Sequence, residues 1–221
     1  MPKSQLSTRQ HAFLDFFTSQ KSLVTQFYLT GGTCLTEYYL HHRYSEDLDF
    51  FSEDEFVVQD VTTLLLHSKR LLGSPVIEYQ QSFNRNVYQL IYGKNDILKI
   101  EFTYYPFQRI EKIIKEPFQI DSLIDIAVNK LFTIYQNPRG RDYYDLYFIF
   151  QKEKSLTMKK VLSLTRTKFD FPIDLLQLGS HLMLAQKLLD DPILIKNTKR
   201  NKIELFFLNE AKHLKKYIVS Q

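Results

Sequence analysis

The chain has 221 residues, 44% hydrophobic and 24% charged, with a formal net charge of +4; this suits a soluble globular protein of one large domain or two small ones. No apolar stretch approaches the ~20 residues that span a bilayer, and the polar start MPKSQLSTRQ is not a secretory signal. The lone Cys34 excludes an internal disulfide and fits a reducing cytoplasm, while the mild positive charge permits a nucleic-acid partner without requiring one.

Ser7 is placed to cap a helix running to about residue 19, with Phe13, Leu14, Phe16 and Phe17 as its apolar residues. Residues 27–30 read as a first strand, 33–41 as a helix after the Gly31-Gly32-Thr33 turn, and 47–51 as a second strand. Residues 57–72 have helical spacing and stop at Gly73-Ser74-Pro75. Three β-rich runs follow at 76–80, 87–92 and 97–104, the last two joined by a hairpin turn at 93–96. The third run alternates, with Lys99 and Glu101 on one face and Leu98, Ile100 and Phe102 on the other. Residue 120 ends another short strand. Asp121 or Ser122 then caps a helix with Leu123, Ile124, Ile126, Ala127, Leu131 and Ile134 on its apolar side. A turn at 138–140 leads to a helix over 141–151. Beyond residue 152 the pattern is helical only, at about 156–168, 174–189 and 203–219, broken at Pro172 and Pro192. The expected fold class is α+β: a mixed sheet flanked by helices in residues 1–151, then a helical bundle in 152–221. No Gly/Ser-rich linker marks that boundary.

Residues 27–51, FYLTGGTCLTEYYLHHRYSEDLDFF, carry the densest chemistry. Side chains alternate along a strand, so Asp47 and Asp49 point the same way. Adjacent carboxylates repel unless a positive charge lies between them. Mg2+ suits the pair, because it is held by one or two carboxylates plus phosphates. The glycines of the turn let a phosphate approach the backbone, and the amides of Gly31 and Gly32 with Thr33 suit an anion. A solvated edge strand and a purely structural turn are the plainer readings of the same residues. Glu101 is the candidate third carboxylate, as metal ligand or proton acceptor; the plainer alternative is a cross-strand partner for a lysine.

Lys130 sits on a helix whose opposite side is apolar, and Asp142 and Asp145 lie three apart on one helical face. A surface laced with salt bridges is the plain reading there. Cys34 stands at a helix N-terminus, where a thiol pKa can fall, or it is simply packed. His41 and His42 have no carboxylate or cysteine at zinc-ligand spacing. Basic residues recur towards the C-terminus, from Lys159, Lys160, Arg166 and Lys168 to the run IKNTKRNK and on to Lys212, Lys215 and Lys216. They make either a surface for RNA phosphates or an ordinary solvated face.

GG-[ST] followed by D-x-D resembles the signature of the polymerase-β-like nucleotidyltransferase superfamily. The fuller string, GGT and then R-x-S-E-D-L-D-F-F, resembles its AbiEii/AbiGii toxin branch. The block IAVNKLFTIYQNPRGRDYYDLY is similar to that family's second signature, a helical Lys and then R-x-R-D-x-x-D-L. These motifs fall between residues 27 and 147. The resemblance implies a nucleotidyltransferase-like sheet domain. It implies transfer of a nucleoside monophosphate from an NTP, with Mg2+ or Mn2+, to an acceptor. RNA, tRNA above all, leads as acceptor; a protein hydroxyl, giving AMPylation, and a small molecule are alternatives. A catalytically weak module that binds nucleotide or a partner protein is a rival of a different class. By the same resemblance Asp47, Asp49 and Glu101 hold metal. Gly31, Gly32, Thr33, Arg43, Ser45 and Lys130 bind nucleotide, with Arg43 otherwise anchoring its loop and Ser45, two residues before Asp47, otherwise a site of modification by the enzyme itself. Asp142 orients Lys130 or the incoming substrate, and Asp145 is structural. The family usually has Asp where this chain has Glu101. Many members are toxins neutralised by a separately encoded antitoxin, which makes such a protein an expected partner.

Overall fold

The computed structural model describes residues 4–187 and 191–219, with side chains as far as Leu214. The chain forms two compact units, Met1–Glu37 with Ser45–Ser122, and Tyr38–Tyr44 with Leu123–Gln221.

The first unit opens with helices α1 (Thr8–Ser19) and α2 (Lys21–Gln26), then strand β1 (Tyr28–Thr30) and the short helix α3 (Gly31–Cys34). After its return at Ser45 come β2 (Leu48–Ser52), α4 (Val58–His67), β3 (Val76–Ser82), β4 (Arg85–Gly93), β5 (Asp96–Tyr104), β6 (Lys112–Lys115) and β7 (Phe118–Asp121). All seven strands join one mixed sheet in the order β3-β4-β5-β2-β1-β7-β6. The β2–β5 and β1–β7 pairs are parallel; β1–β2, β3–β4, β4–β5 and β6–β7 are antiparallel.

Ser7 caps α1 as expected, in a capping box with Gln10: the Gln10 amide donates to Ser7 Oγ at 3.2 Å, and the Ser7 amide to Gln10 Oε1 at 2.8 Å. The helix expected over 33–41 is regular only at Gly31–Cys34. It continues as a π-helical turn, Leu35–Leu40, and stops at His41, whose φ is 49°. Two elements escaped the sequence reading. Helix α2 buries only Leu23, and the four-residue β6 is largely exposed, so neither carries an apolar period to read.

One face of the sheet is the core. Leu48, Phe50, Leu98, Ile100, Phe102, Tyr88, Leu90, Leu29 and Ile120 are all buried on alternating positions of β2, β5, β4, β1 and β7. Helix α1 packs here, with the Phe17 ring stacked on Phe50 at 4.3 Å and Phe13 at 6.0 Å from it. Helix α4 packs on the same face through buried Val61 and Leu65, and Thr62 shares a hydrogen bond of 2.7 Å with the Tyr88 hydroxyl. Covering one face with apolar helices leaves polar side chains for the other, which is where chemistry can be placed.

The second unit contains α5 (Leu123–Gln136), α6 (Gly140–Lys152), α7 (Met158–Phe169), α8 (Leu175–Met183), a 3-10 turn (Leu184–Gln186) and α9 (Arg200–Val219). Residues 188–190, at the end of the helix expected over 174–189, lie outside the described residues. Caps set these helices: Thr157 Oγ1 accepts from the Lys160 amide, and Asp174 accepts from the amides of Leu176 and Gln177. The units part at 122/123, whereas the expected boundary lay at 151/152. The reason is packing: the α5 ring of Phe132 stacks on Phe169 of α7 at 3.9 Å, and Tyr143 of α6 meets Phe207 of α9 at 5.0 Å. Helices α5 and α6 therefore share their core with the helices that follow. The segment 38–44 joins this unit by a bridge between Arg43 and Leu194 and by the bond from the Tyr44 amide to the Ile193 carbonyl, 2.9 Å.

Candidate functional site

In the first unit the polar face of the sheet is built by register. Thr30 on β1 lies opposite Asp49 on β2, and Asp49 opposite Glu101 on β5. On the other side Leu29 pairs with Ile120, which brings Asp121 of β7 beside Thr30; Thr30 Oγ1 donates to Asp121 Oδ2 at 2.6 Å. One row across four strands thus runs Asp121, Thr30, Asp49, Glu101. Neighbouring strands lie about 4.8 Å apart, so three acids crowd one line.

The glycine turn is fitted to this row. Gly31 has φ +72°, and a Cβ placed on it would lie 2.2 Å from Asp49 Oδ2. Only glycine lets the Asp49 carboxylate rest against that backbone. Thr33 is buried, and its hydroxyl donates to the backbone carbonyl of Asp47. Gly32 is buried in α3 between them. The Ser45 carbonyl accepts from Gln10 Nε2 at 3.0 Å, which fixes the chain two residues before Asp47.

Asp47 precedes β2 by one residue, and its carboxylate takes the Lys99 ammonium at 3.1 Å, both groups about a third exposed. Glu101 does not pair with that lysine. It holds Arg85 of β4 through two bonds, Nε to Oε1 at 2.7 Å and Nη2 to Oε2 at 2.6 Å, and accepts from Thr103 Oγ1 at 2.8 Å. Burial alone would raise the Glu101 carboxyl, but the Arg85 and Thr103 hydrogen bonds outweigh it and hold it below the usual range. The Arg85 guanidinium is raised in turn, by its bond to Glu101 first and by the nearby charges of Asp49 and Asp47 as well. Cys34 is fully buried; burial pushes its thiol well above the ordinary value, and the charge of Asp121 adds to this.

The oxygen-only donor set of Asp47 and Asp49, with Asp49 pressed against a glycine backbone, fits a hard divalent cation that keeps its remaining positions for phosphate and water. Glu101 fits less directly. A carboxylate has about four lone-pair sites, and three are taken by Arg85 and Thr103. Among the described residues no three His, Cys, Asp or Glu side chains converge as a ready metal cluster.

In the second unit Lys130, Asp142 and Arg43 are placed by α5, α6 and the 38–44 segment. Lys130 Nζ lies 2.7 Å from both Asp142 Oδ1 and Asp145 Oδ2. Arg139 Nε bonds Asp142 Oδ2 at 2.8 Å. Arg43 holds Asp145 through Nε at 2.6 Å and Nη2 at 2.9 Å, and His42 Nε2 is 2.8 Å from the same carboxylate. All of these acids are fully buried. Burial acts to raise Asp145, yet Lys130, Arg43 and His42 outweigh it and hold it well below the carboxylate range. Asp142 is lowered in the same way, by Lys130 and then Arg139 against burial. Through Asp145, Arg43 ties the 38–44 segment to α6. An ammonium has three donors, so Lys130 keeps one N–H beyond its two acids.

Sequence reasoning missed several of these partners. Asp121 or Ser122 is the expected cap of the helix that α5 forms from Leu123; the Asp121 carboxylate also receives Thr30, a partner that expectation did not include. Arg85 fell in the gap between two expected strands. The cue available for both was alternation: each sits at the end of a strand, in phase with that strand's polar face. The C-terminal basic residues divide. Lys168 is 1% exposed and bonded to Asp125 at 2.8 Å, so it is no part of a surface, and Arg200 pairs with Asp191 and Glu204. The side chains of Lys215 and Lys216 lie outside the described residues.

Residues 13–211 match the family model described as nucleotidyl transferase AbiEii toxin, Type IV TA system. An uncharacterized protein of Aquifex aeolicus, aq_aa25, is 31% identical over 157 residues, 68% of this chain and 71% of that protein. Among solved structures, a Helicobacter pylori protein assigned as a nucleotidyltransferase superposes with a TM-score of 0.63 at 19% identity, covering 97% of this chain and 98% of that one. The Helicobacter pylori protein JHP933 gives 0.57 at 20% identity, covering 96% and 91%. At these identities the likeness to the solved structures is one of fold. No helix among the described residues is long and apolar enough to cross a membrane.

Proposed function

The chain belongs to the AbiEii nucleotidyl transferase family, and from that premise we propose that it transfers a nucleoside monophosphate from an NTP to an RNA acceptor, tRNA first, in the cytoplasm. The observation that carries the reading is the fit of Gly31 against Asp49 beside Glu101: the turn and the acid row are shaped together, which a purely structural turn does not require.

Asp47 and Asp49 would hold Mg2+, or Mn2+, which when bound supplies charge neutralisation for the triphosphate and lowers the pKa of an acceptor hydroxyl. The hydroxyl oxygen forms a bond to the α-phosphorus, the α–β phosphoanhydride bond breaks, and pyrophosphate leaves. The hydroxyl proton passes to Glu101, which its partners keep ionised and whose remaining lone pair can accept it. The backbone of Gly31 and Gly32 admits the phosphates, with Thr33 and Ser45 fixing the strand that carries the acids. Lys130, its ammonium held in place by Asp142 and Asp145, is assigned to nucleotide binding by the family resemblance. Arg43 acts through Asp145.

A toxin role, opposed by an antitoxin, follows from the family's description and belongs to the same proposal. Growth inhibition on overexpression should vanish with Asp49→Asn. The direct test is incubation with each α-32P-NTP, Mg2+ and total bacterial RNA, beside Asp47→Ala/Asp49→Ala. Label in a tRNA-sized band with the unmodified protein only is the expected result. Label in protein or in a small molecule instead would move the acceptor class. The second reading, a nucleotide- or partner-binding module, is favoured by the basic partners already seated on Asp47 and Glu101; it takes over if no acceptor class is labelled.

A further inference from the structure

Transfer to RNA needs a place for the acceptor strand as well as for the NTP. The β3–β4 hairpin turns over two residues, Phe83 and Asn84, with Ser82 paired to Arg85. Phe83 is 95% exposed, more than any other large apolar residue among those described. Its φ is +51°, a conformation for which two-residue hairpins ordinarily use Gly, Asn or Asp. A ring held in water on a costly backbone adds nothing to the fold, and such outliers are a reason to look for function. Arg85 follows two residues later, within about 7 Å along the chain. Its Nε and Nη2 are fixed by Glu101, while the side chain remains 55% exposed with Nη1 uncommitted. The charges of Asp49 and Asp47 act on the same guanidinium, so it stands at the acid row.

We propose that this hairpin tip docks the end of a single-stranded RNA acceptor, one base stacking on Phe83 and an adjacent phosphate taking Arg85 Nη1. The proposal rests on the nucleotidyl-transfer reading for its choice of ligand. An exposed aromatic ring two residues from a fixed arginine offers the two kinds of contact that single strands use, because every base has a π-face and every step a phosphate. A duplex, whose bases are stacked and paired, does not fit it. Glu101 then serves a second purpose, holding the guanidinium plane in position before the strand arrives.

The chain contains no tryptophan, so Phe83→Trp places a sole indole reporter at the tip. It would be titrated, with Mg2+ and without NTP, with a single-stranded RNA dodecamer and with its duplex. Quenching by the single strand, at least tenfold weaker with the duplex, is expected. In anisotropy with the same labelled dodecamer, Phe83→Ala should weaken binding about tenfold, in line with the loss of one stacked base. Arg85→Lys, which keeps the charge and loses the fork, should weaken it severalfold. Absence of quenching by the single strand overturns the proposal. So does equal affinity of Phe83→Ala and the unmodified protein, or quenching by a protein fraction and not by RNA. Because Phe83 is exposed, its variants test docking without disturbing the core. Labelled-NTP transfer on the same preparations separates the two ideas: label without quenching refutes the docking alone, and quenching without label in any acceptor refutes the transfer reading alone.

Discussion

Gly31→Ala tests whether the glycine turn and Asp49 are one device. The new Cβ would stand 2.2 Å from Asp49 Oδ2, 3.0 Å from Cγ and 3.2 Å from Cβ. Two costs arise. An L-residue at φ +72° loses about 1–2 kcal/mol, and overpacking at such a contact adds about 1–3 kcal/mol. Asp49→Ala removes the Oδ2 and Cγ contacts and keeps only the Cβ at 3.2 Å. In that background Gly31→Ala should cost the backbone term alone, so a double-mutant cycle should return a coupling of about 1–3 kcal/mol. Urea unfolding of the four proteins measures it, with far-UV circular dichroism analysed for two transitions, since two compact units need not unfold together. Additivity within ~0.5 kcal/mol would refute the contact and, with it, the reasoning that ties the turn to the acid. The single Gly31→Ala variant should also lose nucleotidyl transfer, because Asp49 has to move to admit the methyl group.

Asp145→Ala should destabilise the second unit by about 3–5 kcal/mol, since it takes the paired carboxylate from the buried Arg43 and leaves Lys130 with one acid; Asp47→Ala, in a part-exposed pair, should cost ~1 kcal/mol or less. Calorimetry of both variants checks the contrast, and equal small shifts would contradict a structural role for Asp145. Burial, with the charges of Arg43 and Lys130, outweighs the attraction of Asp145 and lowers the His42 pKa from its ordinary 6.5. The unfolded chain then binds a proton that the folded one does not, so the His42 contribution is complete above pH 6.5 and is lost as pH falls towards the folded value. Urea midpoints between pH 7.5 and 5.5 should show a shallower decline in His42→Gln; the same slope in both proteins rejects this. Cys34, buried with its thiol pushed up, should resist iodoacetamide in the native protein and react only on unfolding; rapid native alkylation would place it in a reactive site instead.

What the sequence discloses here is local, and what it hides is pairing. Alternation in β5 placed Lys99 and Glu101 on one face and Leu98, Ile100 and Phe102 on the other, and the sheet keeps that division. The Ser7 cap was legible because its partner is three residues away. The acid row was not, because it depends on parallel pairings of β2 with β5 and β1 with β7, which join distant stretches of chain. Without that strand order, Asp121 has no reason to stand beside Thr30, and Arg85 none to reach Glu101. The unit boundary was hidden for a different reason: β7 ends at Asp121 and α5 begins at Leu123, with only Ser122 between them and no linker composition to mark the change.

Burial then ranks acids that the motifs treat alike. Asp47 and Lys99 meet through one contact of 3.1 Å with both partners part-exposed, and such a pair is worth ~1 kcal/mol or less, so an incoming cation can displace the lysine at little cost. Glu101 is buried but faces an exposed guanidinium through two bonds, so it can give up a lone pair more readily than it can give up Arg85. Asp145 has neither option: four donors from Arg43, His42 and Lys130 converge on it in a fully buried place. Removing the carboxylate breaks all four bonds in a place that water does not reach, at about 3–5 kcal/mol. The acids able to exchange partners are therefore those of the sheet face, whereas the D-x-x-D of the helix is held fixed.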